Sequence, residues 1–105
     1  MLEKKYTKKG QVCSVTFALP EAIEADSICL VGEFNDWDAA VTPMTRSEDG
    51  IFRAKLELET GRAYQFRYLI NGGQWQNDSE ADGYVPNGYG EDNSLVVTQG
   101  GETRS

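Results

Sequence analysis

The 105 residues contain no histidine, and they contain only two cysteines and two tryptophans. Without histidine the chain lacks both the commonest general base and the commonest metal ligand. Basic side chains are also scarce: ten Lys and Arg against seventeen Asp and Glu give a formal net charge of −7. That balance argues against a nucleic-acid partner, because such binders draw affinity from clustered Lys and Arg. An uncharged ligand fits better. No stretch approaches the roughly 18 consecutive apolar residues of a membrane span, and the start Met1-Leu2-Glu3-Lys4-Lys5-Tyr6 lacks the apolar run of a signal peptide. The expected address is therefore the cytoplasm, away from membranes. A chain of this length suits one two-layer core and is too short for a catalytic barrel, so a module is expected rather than a complete metabolic enzyme.

What is present is dominated by alternation with period two. Cys13, Val15, Phe17 and Leu19 alternate with Ser14 and Thr16. Phe52, Ala54, Leu56 and Leu58 alternate with Arg53, Lys55 and Glu57, and Tyr64, Phe66, Tyr68 and Ile70 alternate with Gln65 and Arg67. Each run is the mark of a strand with one buried face. The short turn Glu59-Thr60-Gly61-Arg62 predicts that the last two runs form an antiparallel hairpin. Ser27–Val31 is apolar on both parities and reads as a central strand, and Leu95–Val97 closes the set. Turn residues separate them at Leu19-Pro20-Glu21, Glu48-Asp49-Gly50 and Asn71-Gly72-Gly73, and a long loop is expected from Asn77 to Asp92. Glu21–Ala25 has room for one helical turn at most.

Short strands spaced in this way predict an all-β antiparallel sandwich. The working domain is expected at residues 11–98, between a loosely held Lys-rich segment at 1–10 and a small polar tail at 99–105. If the strand at Cys13 paired with the strand at Cys29, Cys13 would face the neighbourhood of Glu33, and Cys29 would face Phe17. That separation predicts two reduced, largely buried thiols, with a disulfide as the alternative.

Three segments interrupt the alternation with residues that a bare sandwich does not need. The first is Gly32-Glu33-Phe34-Asn35-Asp36-Trp37-Asp38. The second is Arg67, on the outward parity of its strand, with Gln74-Trp75-Gln76-Asn77-Asp78 after the glycine turn. The third is Asn87-Gly88-Tyr89-Gly90-Glu91-Asp92-Asn93-Ser94.

The Phe-Asn-x-Trp segment after Gly32, the Phe66-Arg67-Tyr68 strand running into Asn-Gly-Gly-Gln-Trp, and the closing Asn93-Ser94-Leu95-Val96-Val97 resemble carbohydrate-binding module family 48. That family comprises the isoamylase N-terminal, or early-set, domains and includes the glycogen-binding domain of the AMP-activated protein kinase β subunit. The likeness runs over roughly residues 12–98. It implies an immunoglobulin-like (early-set) β-sandwich of about seven strands that binds α-1,4-linked glucan (glycogen, starch or malto-oligosaccharide) without catalysis or cofactor. A glycogen branching or debranching enzyme is the associated partner it implies. The family's platform tryptophans fall on Trp37 and Trp75, its basic residue on Arg67 and its sugar-contacting asparagine on Asn93. Tyr89 aligns with the leucine that pierces the sugar helix in the kinase module. Two positions depart from the pattern: Gly72-Gly73 replaces a single glycine, and Glu91 stands where a threonine is expected.

The residues point the same way without the family. A glucose ring has a C–H face and a hydroxyl edge, so it calls for aromatic planes and fixed hydrogen-bonding groups. Trp37, Trp75 and Tyr89 supply planes; Arg67, Asn93, Gln74 and Asn77 supply hydrogen bonds. Structural alternatives stand beside these roles: Trp37 as a plug at the end of the sandwich, Arg67 as a partner for Glu57 across the hairpin, Tyr89 as loop packing. Phe34 is assigned to the core.

Asp78, Glu80 and Asp82 imitate the start of a calcium loop, but the bidentate glutamate position holds Tyr89 and Pro86 interrupts the run, so a solvated loop is expected. Glu33, Asp36 and Asp38 offer glycosidase-like carboxylates, but a chain with seventeen acids produces such pairs by chance. Walker, zinc and nucleophile-elbow motifs are absent. The competing function is a protein-interaction or regulatory domain that keeps the fold without binding sugar.

Overall fold

The computed structural model describes residues 2–6, 12–20, 24–88 and 90–98. Among these residues nine strands form: β1 (Leu2–Tyr6), β2 (Val12–Leu19), β3 (Ile28–Gly32), β4 (Thr45–Arg46), β5 (Phe52–Glu59), β6 (Arg62–Ile70), β7 (Gln74–Gln76), β8 (Gly83–Pro86) and β9 (Asp92–Thr98). They build two antiparallel sheets, one ordered β1-β2-β5-β4 and the other β3-β6-β9-β8, with β7 added alongside β6. The all-β sandwich expected from the alternation is the fold. No helix is long and apolar enough to cross a membrane.

The predicted inward parities meet in one core. Cys13, Val15, Phe17 and Leu19 of β2 join Phe52 and Leu58 of β5. Facing them are Ile28, Leu30, Tyr64, Phe66, Tyr68, Ile70 and Val96 from the other sheet. Phe17 packs edge-on against Phe66 at 5.1 Å between ring centroids, and so joins the two sheets. Burying an aromatic of this size stabilises the fold by about 1.5–3 kcal/mol.

Pairing departs from the sequence expectations in several places. β5 and β6 are not a hairpin. β5 pairs with β2 along eight residues, whereas β6 pairs with β3, β9 and β7, so the 59–62 turn crosses between sheets. Thr98 secures this crossing: its hydroxyl donates to the Glu59 carbonyl at 2.7 Å and accepts Arg62 N–H at 3.2 Å, and Gly61 N–H reaches the Thr98 carbonyl at 2.8 Å. Period-two patterning reports which face is buried and carries no information on which strand lies alongside, so it cannot separate a hairpin from a crossing. Arg67 and Glu57 thereby fall on different sheets.

β2 and β3 likewise lie in different sheets, so Cys13 faces Tyr6 and Leu58, while Cys29 faces Leu69. Both thiols are free, Cys13 buried and Cys29 half-buried. β3 lies at the end of its sheet rather than the centre. Residues 42–44 cover its outer edge through Leu30 N–H to the Thr42 carbonyl and Met44 N–H to the Ile28 carbonyl.

Leu2–Tyr6, expected to be loosely held, instead pairs residue for residue with Cys13–Phe17. The expected 77–92 loop contains β8, whose Pro86 is tolerated because β8 is an edge strand. Nor is the acidic segment simply solvated. Asp78 is fully buried and accepts the Tyr68 hydroxyl at 2.7 Å, and Asp82 accepts Lys4 Nζ at 2.6 Å and Val97 N–H at 2.7 Å. Four readings fall on residues outside the described set, wholly or in part: the Glu21–Ala25 turn, the segment 7–10, Tyr89 and the tail 99–105.

Candidate carbohydrate-binding site

The site forms on the outward face of the second sheet and begins where β3 ends. Gly32 pairs with Phe66 so closely that a Cβ there would stand 2.6 Å from the Gln65 carbonyl oxygen and 2.9 Å from Phe34 Cζ. The following 3₁₀ turn, Glu33–Asn35, is fixed by the Asn35 amide. Its Oδ1 accepts Gly32 N–H at 3.0 Å, and its Nδ2 donates to the Leu30 carbonyl at 2.9 Å and to Thr42 Oγ1 at 3.1 Å. Asp36 and Trp37 then both adopt left-handed backbone, at φ 57° and 59°, with Trp37 N–H closing onto the Gly32 carbonyl at 2.8 Å. A bulky aromatic residue seldom occupies that region, and such strain clusters at functional sites. Trp37 is turned outward at 40 % exposure, so the structure removes the plug reading. Phe34 goes the other way and packs against Phe17 and Tyr64, as expected of a core residue.

Trp75 arrives by a different route. β7 folds back on β6 through Asn71 and Gly72, at φ 53° and 74°, which sets Trp75 opposite Leu69. The Asn71 side chain anchors the turn by accepting the N–H groups of Asp26 and Ser27 at 2.7 and 3.1 Å. Trp75 is 45 % exposed, and Arg67 lies against it with Cζ 5.5 Å from the ring centroid, within cation–π range. Arg67 Nη1 also pairs with Glu91 Oε1 at 2.9 Å.

The polar floor is a chain of amides. Asn93 on β9 donates Nδ2 to Gln65 Oε1 at 3.0 Å and accepts Asn87 Nδ2 at 3.4 Å. Glu33 Oε1 accepts the Gln65 backbone N–H at 2.8 Å, just past the last β3–β6 pair. These groups, together with Trp37, Arg67, Trp75 and Pro86, line one open groove of about 520 Å³.

Four of the five expected site residues, Trp37, Arg67, Trp75 and Asn93, therefore share one surface, and Tyr89 lies outside the described residues. Gln65 and Asn87 were missed as site residues. Gln65 was legible in principle, two positions before Arg67 on the same outward parity, whereas Asn87 depends on the β8–β9 turn. Asn77 is spent on the fold: Nδ2 donates to the Asp92 carbonyl at 2.8 Å, and Oδ1 accepts the Ser94 hydroxyl at 2.8 Å. Gln74 falls on the opposite parity of β7 from Trp75. Among the described residues no cluster of three Cys, Asp or Glu is arranged to hold a metal ion.

The fold is thus an antiparallel β-sandwich with aromatic and amide side chains gathered in an open groove on one sheet. Residues 5–85 match carbohydrate-binding module 48 (isoamylase N-terminal domain), and the chain belongs to that family. It is 41 % identical over 66 residues, 60 % of this chain, to a 1,4-alpha-glucan branching enzyme GlgB of Aquifex aeolicus. It is 32 % identical over 94 residues, 88 % of this chain, to a 1,4-alpha-glucan branching enzyme GlgB of Photobacterium profundum. A match to the 1,4-alpha-glucan-branching enzyme of Emericella nidulans covers 40 % of the chain at 45 % identity. The aligned segments make up 10, 13 and 6 % of these relatives, so the chain spans only about a tenth of their length.

Proposed function

We propose that this chain binds α-1,4-linked glucan through the groove between Trp37 and Trp75 and performs no chemistry itself. The supporting observation is the pairing of two exposed indoles with a fixed row of amides. The indoles suit the C–H faces of successive glucose rings, and Asn93, Gln65 and Arg67 suit their hydroxyl edges. Membership of a carbohydrate-binding family makes a saccharide the natural ligand. The branching-enzyme relatives favour an α-1,4-glucan such as glycogen, starch or a malto-oligosaccharide, bound in the cytoplasm beside a glycogen-metabolising active site.

If each indole buries on the order of 100 Å² of combined apolar surface, the gross gain is about 2–3 kcal/mol apiece. Association entropy offsets much of this, which leaves a Kd on the order of 10 μM to 1 mM. Affinity of that size acts through tethering, holding a neighbouring enzyme on a polymer that offers many copies of the same epitope.

A two-dimensional amide and indole NMR titration with maltoheptaose tests the reading. Saturable shifts at both tryptophan indoles, with Gln65, Arg67 and Asn93, are expected. Silence at millimolar sugar overturns it in favour of a protein-interaction role.

A further inference from the structure

Glu91 departs from the threonine expected at its position, and the structure gives it a task. Its carboxylate pairs with Arg67 Nη1 at 2.9 Å while the Arg67 guanidinium lies against the Trp75 ring. The Arg67 side chain is 13 % exposed and Glu91 60 %. Nε of Arg67 is enclosed and has no acceptor.

The pair has two consequences. Arg67 is committed to one pose on one face of Trp75, and the 87–91 turn is tied to the sheet. Asn87 N–H already bonds to the Glu91 carbonyl at 2.9 Å, and Gly88 and Gly90 stand at φ 85° and 82°. A free Arg in a groove is a fork suited to phosphate, which it grips through two parallel N–H bonds. Glu91 occupies one side of that fork and cancels its charge, and Glu33 places a carboxylate on the groove lining itself.

We propose that Glu91 is the specificity-determining residue of this groove: it holds Arg67 over the Trp75 ring for an uncharged glucan and bars glucans that carry phosphate. The inference rests on the glucan-binding reading above and goes beyond it in fixing the charge class of the ligand.

The test compares the wild-type chain with Glu91→Gln, which keeps the shape and removes the charge at an exposed position. Two probes are titrated, maltoheptaose and maltoheptaose bearing a 6-phosphate. Wild type is expected to prefer the uncharged probe by about five- to tenfold, the size of one unscreened like charge near the site. In Glu91→Gln the uncharged probe weakens by about two- to fivefold, the range of a half-exposed ion pair, and the phosphorylated probe tightens, so the preference collapses. In the free variant the Trp75 indole and Arg67 Nε–H resonances shift while the amides of Phe66 and Tyr68 stay in place. An unchanged preference in the variant, or equal binding of both probes by wild type, overturns this proposal and leaves glucan binding standing. Silence toward both probes in wild type overturns the two together.

Discussion

Tyr68 donates its hydroxyl to Asp78 Oδ2 at 2.7 Å, and both residues are completely buried. The contact joins the middle of β6 to the start of the segment that leads into β8. Asp78 Oδ1 accepts Glu80 N–H at 2.8 Å, its backbone N–H reaches Ser94 Oγ at 2.9 Å, and its carbonyl receives the Tyr84 hydroxyl. One side chain thus organises the connection behind the groove. Asp78→Ala leaves the buried Tyr68 hydroxyl only the longer contact to the Ala18 carbonyl at 3.5 Å and frees a turn N–H, and should lower the unfolding free energy by about 1–3 kcal/mol in urea titration. Asp78→Asn keeps an acceptor and should lose clearly less.

Gly32 is required for space. Its backbone is extended, at φ −172°, so any residue could adopt the conformation, but a Cβ would stand 2.6 Å from the Gln65 carbonyl oxygen and 2.8 Å from Phe66 Cβ. Neither atom is the far end of a flexible side chain. Gly32→Ala is therefore expected to cost about 1–3 kcal/mol, visible as a Tm fall on the order of 10 °C. Glucan affinity should fall with it, because Trp37 hangs from the Gly32 carbonyl.

The inward faces of β2, β5 and β6 were legible because alternation reports burial directly, and Trp75 was legible because polar neighbours surround it after a glycine turn. Sheet membership was not. Whether Leu58 and Tyr64 sit on adjacent strands or across the core depends on which partners β5 and β6 find elsewhere, which no local pattern encodes. The same limit hid the fixing of Arg67. Its own segment shows an outward basic residue, but the partner, Glu91, comes from a turn 24 positions away. Asn35 had been read as part of a family motif, and its physical role is the three hydrogen bonds that shape the turn presenting Trp37.

The two thiols differ in reach. Cys13 is fully enclosed between the sheets, and burial holds its thiol above the ordinary value, which depletes the reactive thiolate. Cys29 lies half-exposed on the outward face, opposite Leu69. Iodoacetamide at about pH 8 should add one label to the native protein, mapped to Cys29 by mass spectrometry, with Cys13 labelled only after unfolding. Equal labelling of both in the native state would contradict the burial of β2.

Trp37 separates the demands of binding from those of stability. The residue sits at φ 59° with 40 % of its surface exposed, so the fold bears the cost of its backbone without fully burying the ring. Trp37→Ala removes the ring but keeps a Cβ in the left-handed region, whereas Trp37→Gly removes both. The glycine variant should be more stable than the alanine variant by about 0.5–1 kcal/mol, against the usual order for exposed positions, where glycine's greater freedom in the unfolded chain makes it the worse residue. Both should lose glucan binding to the same degree, since neither offers a plane to a sugar ring. Thermal unfolding of the two variants beside maltoheptaose titration resolves the matter. Equal binding loss with glycine the more stable places the strain at Trp37 in the service of the ligand. Retained binding in either variant would leave Trp75 to act alone.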